Sequence, residues 1–261
     1  MPVDLPSLFT PYRALKGENP DPFIGRRETL NDALDTLRYG QGHMIITGEV
    51  GIGKTSFAWH LMKTLSGDEN FQTIRTHEKG SSQERVACIW HECEARTERL
   101  EDLIATIINS PCFSSLMGKP AQPGNFGEKS KAITRNFGKI LDDLLLTLDE
   151  YLAWLYEHHD KVYIFSDQIE SGDFFAYLNT LIRTTNTCQF VLTMEDRYHE
   201  YLVKNNKASD RLFYIVHLDF LQEEEFVSHF KNYLPIPVST DLVSESNHTM
   251  HAAFTFRQRP I

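Results

Sequence analysis

Residues 48–55 read Gly48, Glu49, Val50, Gly51, Ile52, Gly53, Lys54 and Thr55, with Ser56 following. The spacing G-x-x-x-x-G-K-T is that of a phosphate-binding loop. Its glycines let successive backbone N–H groups turn inward around an anion, and a helix starting at the lysine adds the positive end of its dipole. The Lys54 ammonium supplies a point charge toward the β- and γ-phosphates, and the Thr55 hydroxyl is a ligand for Mg²⁺. Such a loop needs an acidic metal anchor at the end of a neighbouring apolar strand. Residues 162–167 read Val-Tyr-Ile-Phe-Ser-Asp, which makes Asp167 the second metal ligand beside Thr55. A carboxylate at the next position would polarise an attacking water, but here it is Gln168. A glutamine orients water without accepting its proton. Glu170, two residues further on, substitutes only if the loop turns. The expected chemistry is therefore a grip on ATP or ADP with Mg²⁺, and slow hydrolysis.

The whole chain narrows the partners. Its 261 residues suit one large α/β domain, or one domain with a small lid. A formal charge of -10 opposes a protein whose main affinity is for nucleic-acid phosphates. No apolar run approaches the roughly 18 residues of a membrane span. Residues 1–17 lack the basic start and apolar stretch of a secretory signal, so the expected location is cytoplasmic, with no membrane partner. Cys88, Cys93, Cys112 and Cys188 show no disulfide-framework spacing and are read as reduced thiols. Cys88, His91 and Cys93 are close enough to raise a metal cluster. They lie in or beside an apolar strand, however, and no second ligand pair follows at zinc-site spacing, so they are read as buried strand residues.

The elements that must position these groups follow from hydrophobic periodicity. Apolar runs predict five strands, at 43–47, 86–90, 161–166, 189–193 and 213–218. Helical spacing predicts helices over 27–37, 55–65, 100–108, 140–156, 174–183, 198–203 and 223–233. A long loop is expected over 111–130, from its prolines and glycines. Short apolar strands alternating with helices describe a P-loop α/β fold, a five-stranded, mostly parallel sheet covered on both faces. The expected organisation is an extended N-terminal arm over 1–22, a nucleotide-binding core over 23–234, and a partial lid or the start of a second domain over 235–261.

Residues 22–28 read Pro-Phe-Ile-Gly-Arg-Arg-Glu. This stretch resembles the element ahead of the phosphate loop in STAND ATPases and in origin-recognition-type AAA+ ATPases. The resemblance implies that Phe23, Ile24, Gly25 and Arg26 wrap adenine and ribose. Residues 11–15, Pro-Tyr-Arg-Ala-Leu, are similar to a lead-in of some bacterial STAND proteins, with Ala14 in place of its glycine. Thr193 falls where the family strand ends in a polar sensor near the γ-phosphate. Residues 209–212, Ser-Asp-Arg-Leu, resemble the AAA+ element whose arginine reaches a neighbouring subunit's nucleotide, so Arg211 is the candidate and Arg197 a second choice. Residues 218–226 resemble the segment leading to the lid, and Arg257 or Arg259 with Pro260 stand in for its sensor arginine. The resemblance covers about residues 11–233. The chain departs from it at Gln168 and in its abbreviated lid. Family members continue into a winged helix and a sensor or repeat domain, which here implies a fragment or a compact member working with a partner.

Three functions compete. The first is a STAND-like or AAA+-like ATP switch controlling homo-oligomerisation or an effector protein; the resemblance extends this to signalling or defence. The second is a nucleic-acid-associated AAA+ ATPase, such as an initiator, helicase loader or transposition regulator, which the acidic charge disfavours. The third is a nucleotide-binding structural module without turnover, for which Gln168 speaks. A GTPase is opposed by the lack of an Asn-Lys-x-Asp guanine reader, and a small-molecule kinase by the lack of a second substrate signature.

Overall fold

The computed structural model describes residues 26–40, 42–68, 84–93, 99–116, 141–184, 186–205 and 212–221. Along the chain these form α1 (Arg27–Tyr39), β1 (His43–Thr47), α2 (Lys54–Leu65), β2 (Val86–Glu92), α3 (Leu100–Asn109) and α4 (Pro111–Ser114). They continue as α5 (Leu141–His158), β3 (Lys161–Asp167), α6 (Gly172–Thr184), β4 (Gln189–Thr193), α7 (Asp196–Asn205) and β5 (Phe213–His217). The expected helix over 223–233, the arm over 1–22 and the partial lid over 235–261 lie outside the described residues.

The strands form one sheet in the order β2-β3-β4-β1-β5. Each of its pairings is parallel. Their register brings the carboxyl ends to one edge: Ile46 lies beside Thr193, Thr47 beside His217, and Glu92 beside Asp167. In parallel sheets with helices on both sides, ligands bind in the crevice outside that edge.

Side chains alternate across each strand, so one strand serves two cores. Met44, Ile46, Tyr163, Phe165, Val191 and Val216 pack under α1 and α2. Ile45, Ile89, Ile164, Phe190, Leu192 and Phe213 pack on the opposite face under α3, α5 and α6. This double burial is why the interior strands β1, β3 and β4 read as unbroken apolar runs, whereas the edge strand β5 leaves Tyr214 and Ile215 exposed. The helices meet the sheet through stripes at helical spacing, namely Leu30, Ala33, Leu34 and Leu37 on α1, and Leu148, Tyr151, Leu152 and Leu155 on α5. Each such fully buried leucine contributes roughly 1.5–3 kcal/mol. Alternation also separates Cys88, packed on the α2 side, from His91, whose ring meets Phe174 of α6 on the other.

Two expectations need correction. The loop expected from residue 111 begins as the short helix α4. Pro111 suits the first turn of a helix, the Ser110 hydroxyl accepts from the Phe113 backbone N–H (3.2 Å), and Phe113 packs edge-on against Tyr151 and Trp154. The strand carrying Asp167 is also not a direct neighbour of β1, because β4 lies between them.

Candidate functional site

The phosphate loop leaves β1 at Gly48 and enters α2 at Lys54. Gly48 has φ +150°, and a Cβ there would lie 2.7 Å from the Leu218 carbonyl oxygen. Gly53 has φ +100°, and its Cβ would meet the Arg26 guanidinium at 3.2 Å. Both conformations exclude ordinary side chains, so the sequence glycines answer a backbone requirement. Lys54 heads α2 and curls back onto the loop, donating to the carbonyls of Gly48 (2.9 Å) and Glu49 (2.7 Å). Burial pulls its ammonium below the ordinary lysine range, while the carboxylates of Glu195, Asp196, Asp167 and Glu49 act in the opposite direction.

Asp167 is fully buried at the end of β3. Thr55 donates to its Oδ1 at 3.0 Å and Thr193 donates to the same oxygen at 2.6 Å. Helix α2 crosses above β4 toward β3, and this lets Thr55 reach Asp167 over the intervening strand. Thr193 was expected to offer its proton toward the γ-phosphate; in this conformation that proton goes to Asp167. Its oxygen also accepts from the Gln168 backbone N–H at 2.8 Å. Gln168 itself is exposed and left-handed, with φ 62°. The turn it makes drops Ile169 into the core and brings Glu170 to the Tyr198 hydroxyl, 3.4 Å away. The chain does turn after Asp167, then, and it engages Glu170 with α7.

Arg26 adopts a left-handed conformation before α1, with φ 56°. It donates to the Ile52 carbonyl at 2.9 Å and to the Asp219 carbonyl at 2.6 Å. Arg197 pairs with Glu195 at 2.6 Å and lies over the Tyr198 ring, 4.7 Å from its centroid. Val50, Gly51 and Glu49 are exposed along the loop, and Ser56 is half-buried in the first turn of α2. Phe23, Ile24, Gly25, Arg211, Arg257, Arg259 and Pro260 lie outside the described residues.

The residues present fit a Mg²⁺-bound polyphosphate. Hard oxygen donors from Thr55 and Asp167 meet beside a lysine, and the glycine cradle has no room for a Cβ at Gly48. Sequence reasoning missed four further groups at this edge: Glu195 and Asp196, whose carboxylates act on Lys54, His217, which lies against Thr47 and Asp196, and Asp219, which lies against His217. Glu195 and Asp196 follow the carboxyl end of β4, His217 ends β5 and Asp219 follows it. The crevice rule marks those ends, but only the known sheet order shows that β4 and β5 flank β1.

No protein-family model matches this chain, and no curated protein matches it by sequence. Among solved structures it is similar to the ORC2 protein of Aeropyrum pernix in its ADP form, at 16% identity and TM-score 0.49, covering 79% of this chain and 50% of that one. It is similar to a STAND protein with a tetratricopeptide repeat sensor from Pyrococcus horikoshii, at 15% identity and TM-score 0.49, covering 86% of this chain and 28% of that one. A third likeness is to Cdc6p from Pyrobaculum aerophilum, at 16% identity and TM-score 0.48, covering 91% of this chain and 56% of that one. This chain thus spans about half the length of two of these proteins and less of the other. A five-stranded parallel sheet whose β1 runs through a glycine loop into α2 is a P-loop NTPase α/β fold. No described helix is long and apolar enough to cross a membrane.

Proposed function

We propose that this chain is a nucleotide-holding switch of the STAND-like or AAA+-like kind. It binds ATP or ADP with Mg²⁺, hydrolyses ATP slowly, and uses nucleotide state to control self-association or an effector protein. One observation supports this most directly: the Thr55 and Thr193 hydroxyls converge on Asp167 Oδ1 beside Lys54, with the exposed Gln168 in the place of a base.

Bound Mg²⁺ supplies charge neutralisation at the β- and γ-phosphates. Lys54 exchanges the Gly48 and Glu49 carbonyls for phosphate oxygens. Thr55 and Asp167 would hold the Mg²⁺, the one through its hydroxyl oxygen and the other through its carboxylate. The backbone N–H groups of 49–55 and the α2 dipole carry the rest of the anion. Gln168 orients a water without deprotonating it, and Glu170 stays on Tyr198, so hydrolysis lacks a general base. Phe23, Ile24, Gly25 and Arg26 close over the base and ribose in this reading. Arg211 reaches a second subunit. The core spans 23–234, between the arm and the partial lid.

The test compares ATP turnover in the wild type, Lys54→Ala and Gln168→Glu. Slow wild-type turnover, well under the ~10 s⁻¹ typical of enzymes, lost in Lys54→Ala and raised in Gln168→Glu, is the expected pattern. Nucleotide binding without turnover in either the wild type or Gln168→Glu would identify a structural module instead. The charge of -10 opposes a nucleic-acid ATPase; submicromolar DNA affinity falling steeply with salt would overturn the switch reading.

A further inference from the structure

His217 ends β5, on one side of β1, and Asp196 follows β4, on the other. A link between them therefore passes across the carboxyl end of β1, where the phosphate loop begins. The link is present. His217 Nδ1 lies 3.3 Å from Asp196 Oδ1 and 3.0 Å from Thr47 Oγ1, and Nε2 lies 3.3 Å from Asp219 Oδ1. The next residue, Leu218, donates its N–H to the Thr47 carbonyl at 2.9 Å, and its own carbonyl abuts Gly48. Asp219 then accepts from Arg26, which also holds Ile52. Residues 217–219 thus touch both ends of the loop, at Thr47–Gly48 directly and at Ile52 through Arg26.

We infer that His217 is a positioning residue for nucleotide binding, a buckle that holds both ends of the phosphate loop and tightens it when its imidazole is protonated. The inference rests on the nucleotide-binding reading above and adds its regulation.

The hydrogen-bond inventory gives the reason. Only an imidazolium donates from both ring nitrogens, so only that form serves Asp196 and Asp219 together. A neutral ring that accepts from Thr47 at Nδ1 leaves Asp196 unserved. The groups facing the ring are Thr47 from β1, Asp196 from the head of α7 and Asp219 from the segment after β5. Glu195 precedes Asp196 and acts with it on Lys54, and Arg26 donates to the Asp219 carbonyl. Asp196 is also among the carboxylates acting on Lys54. A cation on His217 offsets Asp196 and Asp219 beside the seat of an anion; without it, their charge opposes phosphate.

The experiment is calorimetric titration of the full chain with Mg²⁺ and ADP at about pH 6 and about pH 8, which bracket ordinary imidazole titration. The proteins are the wild type, His217→Gln and Asp196→Asn. Glutamine keeps a hydrogen bond but carries no charge, and the comparison cancels the titration of ADP itself. The wild type should gain about three- to tenfold more affinity than His217→Gln between the high and the low pH, the scale of one water-screened unit charge. Asp196→Asn should bind more tightly than the wild type at the high pH and show a smaller pH effect. This second variant carries the test if His217→Gln does not fold. Equal pH ratios in the wild type and a folded variant would overturn the buckle while leaving nucleotide binding intact. No ADP binding by the wild type at either pH would overturn the nucleotide reading itself.

Discussion

Asp167 gathers two hydroxyl donors on one oxygen, at a point where α2, β3 and β4 meet. Thr193 does double duty there, donating to Asp167 and accepting from the Gln168 N–H. Valine at 193 keeps the volume and removes both bonds. A buried donor or acceptor left unsatisfied costs about 1–3 kcal/mol, so Thr193→Val should lower the urea-unfolding free energy by that amount and also weaken Mg²⁺-dependent nucleotide binding. Gly48→Ala acts through the backbone instead. Its Cβ would press on the Leu218 carbonyl at 2.7 Å, in a φ that alanine resists. Strained positions of this kind cost on the order of 1–3 kcal/mol, and ADP affinity measured by titration should fall at least about tenfold as the loop shifts. Lys54→Ala should also lose about tenfold or more in affinity, since it removes a charge-assisted contact worth roughly 1.5–3 kcal/mol, yet leave thermal stability nearly unchanged.

Among the elements, α4 shows how a short segment earns its place. Four residues make no stable helix alone, and what holds this one is Phe113, fully buried between Tyr151 and Trp154 of α5. Phe113→Ala should cost about 3–5 kcal/mol in chemical unfolding, the range for deleting a buried aromatic ring. Because α3 and α5 flank it on the face away from the phosphate loop, ADP affinity of the folded variant should not change. The strands were readable as apolar runs, and the long helices as stripes at 3.6-residue spacing. Element α4 was not, because the proline that suggests a loop also suits a helix's first turn, and only burial of Phe113 decides between them.

At the scale of the whole molecule, two buried histidines make the fold acid-sensitive. Burial pushes His43 and His60 down to about 4 from an ordinary 6.5. His43 Nδ1 accepts the Phe190 N–H at 3.1 Å, which requires it unprotonated. The unfolded chain therefore takes up these protons first as pH falls. Their contribution to stability is complete above about pH 6.5 and is lost progressively toward pH 4, on the order of 2–3 kcal/mol each. Urea midpoints at pH 7 and 4.5 should show this loss, and His60→Leu should show a smaller one. Light scattering of the full chain with no nucleotide, with ADP and with a non-hydrolysable ATP analogue tests the switch. A nucleotide-dependent change in mass is expected, and a fixed monomer in all three states would remove both switching by self-association and the role proposed for Arg211.

The amino-acid sequence alone determined that residues 48–55 are a phosphate loop, that five apolar strands alternate with helices, and that Gln168 stands where an acid is expected. Those features are local: glycine spacing, a two-fold or 3.6-fold period, and the identity of one neighbour. Only the tertiary structure placed β4 between β1 and β3, and so put Thr193 on Asp167. It likewise set β5 beside β1, which brings His217 and Asp219 to the loop from more than 160 residues away in the chain. Strand order is decided by how whole helices bury their stripes on two sheet faces, a sum over the molecule that no local pattern carries.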